Sequence, residues 1–232
     1  MTAPPPARKL IIAIDGPAGA GKSTIASRLA RKLGYVNIET GAMYRALALK
    51  AVENDVSFDD EAALFALAGT SHIDLEPTID GNRVLLDGHD VTERIRERDV
   101  TEAASRVSVH PQVREWMVAR QRQLGLRGGV VMEGRDIGTK VFPDADVKIF
   151  LDAAPEVRGD RRYRQQVGAF QQKPEAIIHE MKERDQRDRL RANSPLVPAR
   201  DAAVIDSTNL DLEQVMRRVE ELVSRALQAQ AR

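Results

Sequence analysis

The sequence predicts an α/β protein in three layers: a central parallel sheet between helices, with a small antiparallel β unit inserted and a short arginine-rich lid segment. Three observations carry this reading. Apolar runs at 10–14 and 130–132, and the 147–151 run broken only by Lys148, have the hydrophobicity of parallel strands buried on both faces. The stretches between them carry apolar stripes at helical spacing, as in Ile25, Ala26, Leu29, Ala30 and Leu33. Between 71 and 91 the texture changes to short β-type runs punctuated by the turn signals Asp80-Gly81-Asn82 and Asp87-Gly88.

The first run, Leu10-Ile11-Ile12-Ala13-Ile14, leads into Gly16-Pro17-Ala18-Gly19-Ala20-Gly21-Lys22-Ser23-Thr24. Two glycines with four residues between them, followed by Lys and Ser, form the phosphate-binding loop pattern, and the pattern requires a strand before it and a helix after it. In a chain of this length the four fixed positions arise by chance about 1% of the time. The glycines let successive N–H groups turn inward toward a polyphosphate, and the helix start adds its dipole. Lys22 is expected on the β/γ oxygens and the Ser23 hydroxyl on Mg²⁺. Residues 16–24 are therefore the candidate ATP site, with Mg²⁺ as the implied cofactor.

Composition narrows the class. The 232 residues suffice for one α/β domain with an insertion, and with no cysteine there is neither a disulfide framework nor a thiolate metal site. Lys plus Arg and Asp plus Glu both number 35, which argues against generic nucleic-acid or membrane-surface attraction. No apolar stretch approaches a spanning length, and the Pro-rich start lacks the core of a signal peptide, so a soluble cytoplasmic monomer is expected.

Taken in order, residues 1–8 read as a flexible tail, and 9–68 as core carrying the phosphate loop. Within that core a first strand spans 9–15, a helix 24–33 stops at Gly34, a short strand spans 35–38, and a turn is expected at Glu39-Thr40-Gly41. Ligands of open parallel sheets lie beyond the carboxyl ends of the strands, which makes Thr40, Tyr44 and Arg45 site candidates. Helices follow at 42–54 and 59–68. Residues 69–100 form the inserted β unit, with strands at 71–75, 82–86 and around Val91, read as a cover for a ligand; the charge-dense 93–99 is expected to be exposed.

Residues 101–152 return to the core. A helical segment over 101–123 breaks near His110-Pro111, with Trp116 a packing residue, His110 structural, and Arg114 pointing away from Trp116 and free for the cleft. The strand at 130–132 ends in Glu133-Gly134-Arg135-Asp136. Charges there are expensive unless paired, so Arg135 reads as a phosphate clamp and Asp136 as an acceptor for a ligand donor or as the group that orients a basic side chain; an Arg135–Asp136 pair bracing the loop is the alternative.

Residues 153–173 are read as the lid. Arg158 with Arg161 or Arg162 shares one helical face, either solvated or carried onto a transferring phosphoryl group. In the last core segment, 174–232, Arg184, Asp188 and Arg191 at i, i+4 and i+7 suit a ribose-and-phosphate grip or simple intrahelical pairing. A strand over 203–206, a loop Ser207-Thr208-Asn209 suited to the donor nucleobase, and an amphipathic helix over 212–229 complete the chain.

Together with the phosphate loop, five further segments resemble the bacterial cytidylate kinase family: Thr40-Gly41-Ala42-Met43-Tyr44-Arg45, Gly134-Arg135-Asp136-Ile137-Gly138-Thr139, Val141-Phe142-Pro143-Asp144, Glu183-Arg184-Asp185 and Asp206-Ser207-Thr208. The resemblance covers about 9–227. It implies ATP-dependent phosphorylation of CMP and dCMP on a nucleoside-monophosphate-kinase fold. By that resemblance Ser105, Arg114 and Asp136 contact cytosine, and Tyr44, Arg45 and Arg135 surround the acceptor phosphate. Arg184 and Asp188 grip the ribose and phosphate, Arg191 adds an arginine at the transferring group, and Arg158, Arg161 and Arg162 lie on the lid. Thr40 and Glu133 stand where some relatives have Ser and Asp. From the residues alone, a kinase for UMP, dTMP or shikimate and a non-enzymatic nucleotide switch also stay open.

Overall fold

The structure is a computed structural model that describes residues 8–78, 81–166 and 174–230. The expected N-terminal tail, Asp80 of the first turn signal, and 167–173 of the expected lid lie outside the described residues, apart from Arg8.

Five parallel strands form the central sheet: β1 (Ile11–Asp15), β2 (Val36–Glu39), β6 (Val130–Gly134), β7 (Val147–Asp152) and β8 (Ala203–Asp206), in the order β2-β6-β1-β7-β8. From β1 the chain winds first toward β2 and β6, then returns to the other side for β7 and β8. The strand feeding the phosphate loop therefore stands where the winding reverses, and the crevice beyond its carboxyl end is the natural ligand site.

Alternation along β1 sorts the two faces. Leu10, just ahead of the strand, Ile12 and Ile14 pack with α1 (Lys22–Leu33) and α8 (Leu212–Gln230) through Ile25, Leu29, Met216 and Val219. Ile11 and Ala13 face Val118 of α5 (Pro111–Gly125) together with Met132 and Val141. Burial on both faces is why these strands read as unbroken apolar runs rather than alternating ones. A second core joins α2 (Thr40–Glu53), α3 (Glu61–Gly69) and α4 (Arg98–Val107) to the insert. There α2 is buried on nearly every side through Ala42, Met43, Ala46, Leu47, Ala48, Leu49 and Ala51.

The insert is a three-stranded antiparallel sheet of β3 (Ile73–Thr78), β4 (Gly81–Leu86) and β5 (His89–Asp90). Its last strand is at His89–Asp90 and not around Val91. Asp87 and Gly88 both have positive φ, 50° and 84°, forming a two-residue hairpin loop that pairs Leu86 with His89 and fixes the register one step earlier. Within the charge-dense 93–99, Ile95 is buried beneath Arg94 and Arg96.

Two further boundaries depart from the sequence expectation. Helix α1 begins at Lys22, so the lysine and Ser23 are its first residues and not part of the loop before it. No turn separates β2 from α2. Glu39 is extended and the helix starts at Thr40, because the Asn82 side chain accepts from Glu39 N at 3.1 Å and the Thr40 hydroxyl donates to Glu133 O at 2.7 Å. The break between α4 and α5 falls as expected, with Pro111 opening α5 and His110 bonded to Phe58 O at 2.7 Å.

Asn82 is buried and also donates to Asn37 O at 2.8 Å, so one amide side chain sews the insert to the edge strand of the main sheet. Asn82→Ala leaves an N–H and a C=O of β2 without their partner. The expected outcome is a loss of about 1–3 kcal/mol of stability, read from the midpoint of urea unfolding; an unshifted midpoint contradicts this anchoring role.

Candidate active site

The carboxyl ends of β1 and β6 set the site. Beyond β1 the phosphate loop turns through Gly16, Gly19 and Gly21, all at positive φ. At Gly16 a Cβ would stand 2.0 Å from Leu151 O, so only glycine lets the loop pass β7. Lys22 closes the loop on itself by donating to Pro17 O at 2.7 Å. Burial, with Arg135 and Arg184 nearby, depresses its ammonium to about 7, against the pull of Glu133 and Asp15.

Asp15, the last residue of β1, is buried and accepts from Ile137 N at 2.8 Å and Gly138 N at 2.7 Å. It thereby pins the turn after β6 and aims Arg135 and Asp136 into the crevice. Burial raises its carboxyl to about 6, although the two N–H groups favour the charge. Glu133, also buried, is raised by desolvation and by Glu39, while Lys22, a hydrogen bond from Ser23 and Arg135 oppose the rise. Its Oε1 has no hydrogen-bond partner among the described residues. A hydroxyl on the first turn of α1 and a carboxylate with an open oxygen make a hard-donor set of the kind that Mg²⁺ uses together with substrate phosphates.

Across the crevice lies a second pocket, and its arginines share too few carboxylates. Arg114 from α5 is almost fully buried. It donates to Asp136 Oδ2 at 2.6 Å and to Ser108 O at 3.0 Å, and it stacks over Tyr44 with its guanidinium 5.4 Å from the ring centre. The arginine expected to be free is thus committed to the carboxylate beside it. Arg135 and Asp136 do not pair with each other: Arg135 Nε donates to Asp188 Oδ2 at 3.1 Å.

Asp188, on α7 (Pro174–Leu190), also faces Arg191 Nη1 at 3.4 Å. Arg191 lies one residue beyond the helix, yet its N–H still bonds to Arg187 O at 3.1 Å and keeps the helical face. Burial raises the Asp188 carboxyl, but Arg135, Arg184 and Arg191 outweigh it and leave Asp188 below the usual carboxylate range. Arg184 is lowered to about 10 by burial and by Arg135. Around this pocket Tyr44 Oη, Ser105 Oγ, Arg114 Nε and Arg191 Nη2 are buried without hydrogen-bond partners among the described residues. Burial lifts the Tyr44 phenol to about 12 and keeps it a neutral donor.

The remaining candidates divide. Arg45 is paired with Glu39, and the Thr40 hydroxyl is spent on the Glu133 carbonyl. Burial raises the Glu39 carboxyl, and Arg45 and then Arg96 overturn that rise. On α6 (Pro155–Gln166), Arg158 and Arg161 both reach the phosphate loop. Arg158 donates to Ala153 O, Ala18 O and Asp185, and Arg161 donates to Ala20 O at 3.5 Å and to Ser207 Oγ and O at 3.0 and 2.9 Å. Arg162 is lowered by burial and by Arg45 and Arg96, which places it toward the insert side of the cleft. Asp15 and Asp185 escaped the sequence reading as site residues, and Glu133 was noted there without a role. Their signal was a carboxylate ending a buried strand, or following an arginine on a helix.

A phosphate loop at the switch point of a parallel sheet, facing an arginine-lined pocket with orphaned buried donors, defines a phosphate-loop phosphotransferase. A family model described as cytidylate kinase matches residues 12–225. The cytidylate kinase of Geobacillus thermodenitrificans is 50% identical over 218 residues, 94% of this chain and 97% of its own; that of Enterococcus faecalis is 48% identical over 216 residues, 93% and 96%. The chain belongs to the cytidylate kinase family. In fold alone it is similar to a solved structure of an uncharacterised protein from Eubacterium ventriosum, with TM-score 0.50, 12% identity, and coverage of 93% of this chain and 99% of that one.

The depressed Lys22 predicts a proton linkage. A polyphosphate returns the ammonium toward its ordinary range, so binding must take up a proton between pH 7 and that range. At pH 8, calorimetric titration with inorganic tripolyphosphate in buffers of different ionisation enthalpy should register uptake of roughly one proton, shrinking at pH 6 where Lys22 is already charged. No uptake at pH 8 contradicts the assignment.

Proposed function

We propose that the protein transfers the γ-phosphoryl group of ATP to CMP and dCMP, giving ADP with CDP or dCDP, within pyrimidine nucleotide metabolism. The observation that carries the acceptor half is the cluster of buried, unpartnered polar atoms around the Arg114–Asp136 pair. A cytosine edge presents an amine donor beside ring and carbonyl acceptors. Asp136 takes the amine while Arg114 and Ser105 supply donors, so an analogue with the opposite pattern leaves buried groups unpaired.

The buried arginines around the crevice support the roles proposed at the phosphates. Gly16 to Thr24 cradle the ATP phosphates. Tyr44, Arg45, Arg135 and Arg191 surround the acceptor phosphate, with Thr40 shaping the end of β6 beside them, and Arg184 and Asp188 hold the ribose and its phosphate. Lys22, Arg135, Arg162 and Arg191 neutralise charge that spreads over the phosphoryl oxygens as the acceptor oxygen attacks in line. Ser23 and Glu133 would hold Mg²⁺, which would supply positive charge to the donor phosphates. The insert, 69–100, and the segment 153–173 are the parts proposed to close over the ligands and exclude water.

No helix among the described residues is long and apolar enough to cross a membrane. A cytoplasmic, monomeric enzyme without nucleic-acid or membrane partners is the setting we propose.

The test is ADP release from Mg-ATP with CMP, dCMP, UMP, AMP and dTMP in turn, for wild type and Asp136→Ala. CMP and dCMP are expected to be the best acceptors, and the variant is expected to lose at least about tenfold in kcat/KM for them and to flatten the preference. No turnover with any of the five contradicts the reading of the acceptor pocket.

A further inference from the structure

We propose that Arg158 and Asp185 form a clasp that holds the phosphate loop in its anion-binding shape, so that donor affinity depends on the docking of α6 and α7 against the loop. This rests on the donor site described above and makes Arg158 and Asp185 positioning residues.

Both polar groups of one loop peptide residue are taken. Ala18 N donates to Asp185 Oδ1 at 3.4 Å, Ala18 O accepts from Arg158 Nη1 at 3.0 Å, and the same Nη1 closes the ring on Asp185 Oδ2 at 2.5 Å. Arg158 Nε is anchored in turn on Ala153 O at 2.8 Å, just before α6. The two charged side chains are 5% and 9% exposed. Removing such a pair from water is costly unless its remaining donors and acceptors are used, and here they are used on the loop.

Packing repeats the message one residue later. A Cβ on Gly19 would lie 2.6 Å from Met181 Cε and 3.0 Å from Arg158 O, so α6 and α7 press on the tip of the loop without intervening space. The loop needs such a support. Its three glycines hold positive φ, at an entropic cost greater than that of any other residue type, and nothing in a glycine-rich turn by itself keeps its N–H groups convergent. A loop held in shape before the polyphosphate arrives does not spend binding energy on ordering. The clasp also spans elements: Asp185 faces the loop while Arg184 and Asp188 of the same helix face the acceptor pocket.

The pair also lines an open surface groove with Pro155, Lys182, Gln186 and Arg189. A buried ion pair exchanged for apolar groups of similar size can keep its packing, although the backbone groups it served lose their partners.

The experiment measures inorganic tripolyphosphate binding by calorimetry, CMP binding and thermal midpoint for the full chain, as wild type, R158M/D185L and D185N. The double variant also leaves Ala18 N, Ala18 O and Ala153 O without their partners, so a modest fall in thermal midpoint is expected, with CMP affinity kept and about tenfold or more lost in tripolyphosphate affinity. D185N, which retains an oxygen beside Ala18 N–H, is expected to keep most of it. Tripolyphosphate affinity unchanged in the double variant overturns the clasp, as does a loss that falls equally on CMP affinity and stability. Should the double variant not fold, D185N and D185A decide: weaker binding by D185A alone supports the clasp, and equal binding overturns it. Wild type that does not bind tripolyphosphate defeats the donor-site reading, a distinct result from wild type and double variant binding it alike.

Discussion

Everything in the crevice depends on an excess of buried positive charge held in place by a few carboxylates. Arg114 leans on Asp136, and Arg135 and Arg191 share Asp188. Arg184 adds a guanidinium that is itself lowered to about 10 by burial and by Arg135. Desolvated guanidiniums that outnumber their partners oppose folding unless an anion completes them. A pocket of this kind is preorganised for a phosphate, because the cost of bringing the arginines together is met by the fold before any ligand binds.

The parallel sheet makes that cost bearable by placing the charges at its rim. Strands β1 and β6 are apolar until their ends, β7 is apolar there but for Lys148 near its start, and the acidic groups stand where the strands end: Asp15, Glu133 and Asp152. Two of these residues organise backbone rather than ligand. Asp15, through its carboxylate, ties down the turn that carries Arg135 and Asp136, and Asp152, through its main-chain carbonyl, accepts from both the Ser207 hydroxyl and amide and so sets the loop after β8. The strand ends thus act as a fixed rim on which loops and helices hang their arginines.

Much of this was legible in the sequence, for a physical reason in each case. The core strands, the α4–α5 break at Pro111 and the inserted β unit follow from local signals: apolar runs that are unbroken in β1 and the start of β6 and short in β2 and β8, a proline at a helix start, and Asp-Gly turns. The phosphate loop is a local geometry that needs its own residue types, so it declares itself. What escaped was set by partners distant in sequence. The direct passage from β2 to α2 depends on Asn82 and Glu133, 43 and 93 residues away from the groups they meet. Arg114 could be placed on a helix face but not matched to Asp136, and the attachment of Arg158 to Ala18 spans 140 residues. Spacing along a helix reports which side chains share a face, and is silent on what that face meets.

The central claim is that the acceptor pocket carries unmatched positive charge that a phosphate completes. It is tested most directly by comparing the thermal midpoint of the protein at equal concentrations of CMP and of cytidine, which share a base and ribose. If the arginine excess governs the site, CMP raises the midpoint by several degrees and cytidine leaves it nearly unchanged, the difference growing as ionic strength falls. Equal stabilisation by the two, indifferent to salt, would mean that the base alone drives binding and that the gathered guanidiniums have another purpose.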